Sequence, residues 1–183
     1  VLVAYASHGL NRGICNALRA LKDGRLSPKG SDEIRVIVEM MSHSDDCVRY
    51  YATGALCLAV HDCVDTCNAA SAAVLVGALP AIVAVASDPN AEVDVQGLAW
   101  SLESMLRNWT CAAEALDAGI LPVIERWLRS QDDSWLAKSL VETLAMLKSA
   151  ENCGAFDFSG VLQGLNRLAA MPTLDYHDQV VDL

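Results

Sequence analysis

Chemistry, if this chain performs any, would begin in the stretch His61-Asp62-Cys63-Val64-Asp65-Thr66-Cys67. On a helix, Cys63 and Cys67 lie about one turn apart on a shared face, and two thiolates with a His61 nitrogen or an Asp65 oxygen make a ligand set for tetrahedral zinc. No second Cys/His pair stands at the spacing that completes a structural zinc site, so His61, Cys63 and Cys67 are candidates only: no metal is assigned and no cofactor is expected. The competing reading is a polar junction between helices with one buried and one exposed thiol. Nucleophilic, metalloprotease and nucleotide chemistries lack their motifs, since the chain has no Gly-x-Ser-x-Gly, no His-Glu-x-x-His and no phosphate-binding glycine loop. His8, His43, His61 and His177 fall in or beside separate loops and read as solvated polar side chains. A binding protein is expected, not an enzyme.

Any such residues must be positioned by a folded body, and the composition favours helices. The 183 residues are 53% hydrophobic but only 5% aromatic, so the apolar surface is mostly Ala, Leu and Val, small enough for close helix-on-helix packing. The net charge of −10 is unevenly spread. Lys and Arg are absent between Arg49 and Arg107, where Asp62, Asp65, Asp88, Glu92, Asp94 and Glu103 all lie. That field repels phosphate backbones, so nucleic acid is not an expected partner. Arg12, Arg19, Lys22, Arg25 and Lys29 form a small basic cluster, read as a solvated helix end and loop.

The 7 cysteines, among them Cys15, Cys47, Cys57 and Cys111 inside apolar helical patterns, read as small buried hydrophobes of an intracellular, reducing compartment, the cytoplasm first. Asn108-Trp109-Thr110 matches a glycosylation acceptor, which unpaired thiols argue against. The chain opens at Val1 inside an apolar stretch, as expected of a fragment or processed product. From Thr66 to Ser87 no charged residue occurs, a length that can span a bilayer. The run is Ala-rich, broken by Gly77 and Pro80 and flanked by Asp65 and Asp88 without a basic anchor, so no membrane span is expected.

Self-comparison explains that run. Gly77-Ala78-Leu79-Pro80 is matched by Gly119-Ile120-Leu121-Pro122 and by Gly160-Val161-Leu162-Gln163, at spacings of 42 and 41 residues. Polar caps follow at Ser42-His43-Ser44-Asp45-Asp46, Ser87-Asp88-Pro89-Asn90 and Ser130-Gln131-Asp132-Asp133. Longer helices come next, aligned on Leu58, Leu102 and Leu144 with an earlier copy at Asn16-Ala17-Leu18, and these leucines are expected in equivalent places. Each unit then has a short first helix, a second opened by the Gly-x-Leu-Pro turn, and a long third helix. Third helices are predicted over about 10–22, 46–61, 91–107 and 133–148. The uncharged run falls on the first and second helices of one unit, and a period of this kind implies stacking, because one unit cannot bury its apolar face alone.

A repeat near 42 residues with Gly-[AI]-[LI]-Pro, an apolar helix, a polar cap and an Ala-Leu-rich third helix resembles the armadillo family over roughly residues 10 to 171. The resemblance implies an all-α, right-handed α-solenoid of about four armadillo-like three-helix repeats. These fall over about 1–44, 45–89, 90–131 and 132–171, with 172–183 a C-terminal tail or cap after Met171-Pro172. It implies too that the third helices line a concave, protein-binding groove. In importin-alpha, an armadillo protein, those helices carry a Trp and, four residues on, an Asn that grip a basic peptide. The pairs here are Asn16 with Ala20, Leu56 with Val60, Trp100 with Ser104 and Glu142 with Met146, so only Trp100 matches and a nuclear-signal ladder is not supported.

On this reading the groove residues are Arg12, Asn16, Leu56, Val60, Gln96, Trp100, Ser104, Lys138 and Glu142, polar at the rim with Leu56 and Val60 an apolar stretch between. Trp100 is either the hot spot or a packed core aromatic, whereas Trp127 and Trp109 are expected in the core. The expected function is a non-catalytic scaffold, a subunit docked in a hetero-oligomeric assembly. The alternative is a transient adaptor that binds an extended peptide along the groove.

Overall fold

Leucines, alanines and valines spaced at three and four residues make helices that bury their apolar sides, and ten helices are seen among the described residues of a computed structural model. It describes residues 11–26, 30–61, 66–88, 93–108, 111–130, 134–150 and 153–169. In chain order these helices are α1 (Asn11–Lys22), α2 (Ser31–Met40), α3 (Asp46–His61), α4 (Thr66–Leu75), α5 (Ala78–Ser87), α6 (Val95–Asn108), α7 (Ala112–Asp117), α8 (Ile120–Ser130), α9 (Ser134–Lys148) and α10 (Ser159–Ala169). A single 3-10 turn, Cys153–Ala155, precedes α10, and no strand occurs among the described residues. The chain is all-α. The expected tail at 172–183 and Trp109 lie outside the described residues.

Two rows of helices share one apolar seam. In the first row α1 packs on α3, α3 on α6 and α6 on α9; in the second α2 meets α5, α5 meets α8 and α8 meets α10. The short α4 and α7 connect the rows, α4 touching α2, α3, α5 and α6. Between the rows runs a continuous core that includes Leu18, Ile37, Leu56, Ile82, Leu98, Leu102, Met105, Ile124, Trp127 and Leu144. Burying one such side chain is worth roughly 1.5–3 kcal/mol. The seam, and not helix propensity, therefore holds these helices of six to sixteen residues, most of which would be marginal alone.

The turns into α5 and α8 follow the glycine pattern. Gly77 adopts φ 88° and Gly119 φ 85°, the left-handed region where a Cβ would crowd the next carbonyl. Each glycine N–H closes the preceding helix, on Val74 and Leu116 respectively, before the next begins one residue later. Pro80 and Pro122 then sit in the first turns, where no intrahelical N–H bond is lost. Gly160 differs. It lies inside α10, which is opened instead by the Asp157 carboxylate accepting from the Ser159 N–H at 2.8 Å. Hydrogen bonding from Ser159 holds the Asp157 carboxyl below its usual range.

Among the described residues no single helix is long and apolar enough to cross a membrane. The uncharged run is two helices, bent by 70° between Ala69–Leu75 and Ala78–Ser87. Ala70, Ala73, Leu79 and Ile82 of that pair are buried in the shared core, while Leu75 at its corner is 77% exposed.

A candidate interaction cleft on the first helix row

The outward face of the first row is set by which residues the neighbouring helices leave uncovered. On α1 these include Arg12, Asn16 and Arg19, on α6 Gln96, Trp100 and Glu103, and on α9 Lys138, Glu142 and Ala145. Asn16, Trp100 and Glu142 are separated by multiples of 42 residues, and the residue that completes the series on α3 is Leu58, half-buried, with His61 exposed beyond it. The expectation that Leu56 and Val60 form an apolar surface stretch is overturned: both are fully buried. So is Ser104, whose hydroxyl donates 2.8 Å to the Val60 carbonyl at the end of α3, closing a terminal acceptor that the helix itself leaves unpaired. The expected equivalence of Leu58 with Leu102 and Leu144 is corrected by two residues: Val60, 42 residues before Leu102, is their buried counterpart.

The physical reason is that α3 is apolar on nearly every side, Ala52 to Cys57 all being buried, so its residue pattern marks no outward face. The first half of its outer stripe is also covered. The Lys22 side chain lies across Gly54, where an added Cβ would come 2.5 Å from the lysine Cδ, and its Nζ reaches Asp94 at 2.6 Å and the Tyr50 ring at 4.0 Å. Burial pushes the Lys22 ammonium down, and the hydrogen bonds to Asp94 and Tyr50 more than offset it, so the net displacement is upward. Asp94 also caps α6 by accepting from the Gly97 N–H at 2.9 Å, while its own N–H donates to Thr53 Oγ1 at 3.2 Å. One lysine and one aspartate thus strap α1, α3 and α6 together.

Further along the row the surface opens. A cleft of about 300 Å3 is lined by His61, Trp100, Glu103, Arg107, Lys138, Ser139 and Glu142. Trp100 is 37% exposed, so it is not a packed core aromatic, whereas Trp127 is buried as expected. The His61 ring stands 6.3 Å from that of Trp100. Arg107 donates to Glu103 at 2.6 Å and to Glu142, Ser139 donates to Glu103 at 2.5 Å, and Lys138 lies 3.9 Å from Glu142. Two cations and two anions balance, so the acidity of the middle third does not extend to the cleft walls.

Of the sequence candidates, Trp100, Lys138, Glu142 and His61 are brought together, Gln96 lies half-buried one turn before Trp100, and Arg12 and Asn16 are exposed on α1. Glu103, Arg107 and Ser139 were missed, although Glu103 and Arg107 follow Trp100 at three and seven residues, the spacing of one helix face. Cys63 and the side chain of Cys67 lie outside the described residues. Cys57 and Cys111 are buried as expected, but Cys15 is half-buried and Cys47, in the first turn of α3, is exposed. Burial raises the Cys111 thiol to about 11, with the Glu114 charge adding to it.

No protein-family model matches the chain, and no curated protein matches it. Among solved structures it is similar to the crystal structure of an engineered protein, a target of the Northeast Structural Genomics Consortium, with a TM-score of 0.75 at 20% identity over 98% of this chain and 75% of that chain. At that identity the likeness is one of fold.

Proposed function

We propose that the chain is a non-catalytic protein–protein interaction scaffold, a right-handed α-solenoid of about four armadillo-like units that serves as a subunit of a larger hetero-oligomeric assembly. The observation that carries this reading is Trp100, held 37% exposed in a cleft whose other walls are polar and paired with one another. A large aromatic surrounded by polar rim groups is the usual make-up of an interface anchor, and rigid helices hold it at little entropic cost. The packing of α1, α3, α6 and α9 in chain order, with their outward residues spaced by 42, supports the stacked-unit reading. Cys57 and Cys111 packed as hydrophobes suit a reducing interior.

The alternative is a transient adaptor for an extended peptide. What favours it is the regularity of the row, because helices about 8–10 Å apart match roughly three residues of extended chain. A photo-crosslinking amino acid placed at Trp100, with one at exposed Arg35 on α2 as control, tests both readings in native extract. A fixed subunit gives one stoichiometric adduct at 100 only, retained through high salt; a peptide receptor gives an adduct that vanishes as ionic strength rises. Equal labelling at both positions removes the cleft as an interface.

A further inference from the structure

The first turn of α3 meets the middle of α1 at a cluster that the cleft does not use. Cys15 on α1, Asp45 just before α3 and Cys47 in its first turn bring two sulfurs and a carboxylate oxygen within 4.8 Å of one another. Tetrahedral zinc, with sulfur at about 2.3 Å and oxygen near 2.0–2.2 Å, holds such donors roughly 3.3–3.8 Å apart, so small side-chain rotations bring this set onto one ion. The donors come from two helices that already pack on each other, which fixes their approach before any ion arrives.

Asp45 is itself held. Its Oδ1 accepts from the Cys47 N–H at 2.9 Å and the Val48 N–H at 3.3 Å, which caps α3 and orients the carboxylate, while the second oxygen retains lone pairs for a cation. Cys47 is exposed and gives an entry path; Cys15 is half-buried and gives the site its inner wall. Two soft sulfurs beside a single carboxylate select zinc over magnesium or calcium, which require more oxygens.

We propose that Cys15, Asp45 and Cys47 form a zinc site that clamps α1 to α3, with water in the fourth position. Binding exchanges the two thiol protons, which pass to solvent, for one divalent ion, and involves no redox step. Because the ion binds the folded chain, zinc stabilises the fold.

The test is titration of the full, reduced chain with zinc alone against a chromophoric chelator, repeated with cobalt to read the thiolate-to-metal absorption. One equivalent and a rise in Tm are expected. Cys47→Ser, at an exposed position, and Asp45→Asn, which keeps a capping side chain, should each weaken that equivalent by at least about tenfold and reduce the Tm response, with circular dichroism showing the helices retained. Cys153→Ser should change nothing. Unaltered stoichiometry and affinity in Cys47→Ser, or no zinc bound by the natural chain, overturns the proposal; the first result would place the ion on other thiols.

Discussion

Helices α3 and α6 pack side by side in the same row, and their outward positions correspond: Gly54, Leu58 and His61 on one, Gln96, Trp100 and Glu103 on the other. The first stripe is closed at its Gly54 end, and the second is open at Trp100. On α3 a glycine lets the Lys22 stem lie flat against the backbone on its way to Asp94, so the strap fills what would be groove. On α6 the counterpart is the half-buried Gln96, and Trp100 one turn on keeps 37% of its surface exposed. Equal spacing thus sets where side chains emerge, while the residue at each place decides whether the row is an internal joint or a surface for others.

The largest test of this correspondence is truncation. Leu102→Ala should cost about 2–5 kcal/mol of unfolding free energy, as a fully buried leucine does. Leu58→Ala, at a half-buried outward place, should cost under about 1.5 kcal/mol. Urea denaturation of both variants decides it, and equal losses would return α3 to the register in which Leu58 and Leu102 are equivalent.

The glycine turns come next. Gly77→Ala and Gly119→Ala force a Cβ into left-handed backbone and should each cost about 1–2 kcal/mol. Gly160→Ala should be close to neutral, because the three atoms nearest its new Cβ all belong to the Glu125 carboxyl, the far end of a flexible side chain that can swing aside, and alanine favours the helix. Thermal melts of the three variants rank them directly.

Strap and seam both weaken in alkali. The Lys22 pKa is raised on folding, so the stability it brings is complete below its ordinary 10.5 and is lost as pH climbs through the raised value. The Cys111 thiol moves from 9.0 to about 11, so its contribution is lost over that interval as pH rises. Denaturation midpoints from pH 8 upward should therefore fall, with Lys22→Met flattening the uppermost part and Cys111→Ala the part between about 9 and 11. A profile unchanged in both variants would assign the alkaline loss elsewhere.

The smallest effect is expected in the cleft. Arg107→Ala removes ion pairs to Glu103 and Glu142 from a side chain that is 57% exposed, so stability should shift by less than about 1 kcal/mol. The same variant leaves Lys138 to face both Glu103 and Glu142 beside Trp100, a net negative cleft, so crosslinking from position 100 should become more salt-dependent if the partner is basic. A stability loss above about 2 kcal/mol would make Arg107 a structural joint like Lys22.

Helix type, most boundaries and the two left-handed turns were legible in the sequence, because periodic leucines, Gly77 and Gly119 act on backbone within a few residues of themselves. The caps were legible in part: Asp45 opens α3 as read, but α6 is opened by Asp94 and not by the earlier Ser87-Asp88 stretch. What tertiary structure decided was orientation and long-range company. A helix as uniformly apolar as α3 carries no mark of its outward face, so only its neighbours put Leu56 and Val60 inside and left Leu58 and His61 out. The pairing of Cys15 with Cys47, of Lys22 with Asp94 and of Arg107 with Glu142 depends on how helices from distant segments lie against each other, and that information is held in packing angles and not in local spacing.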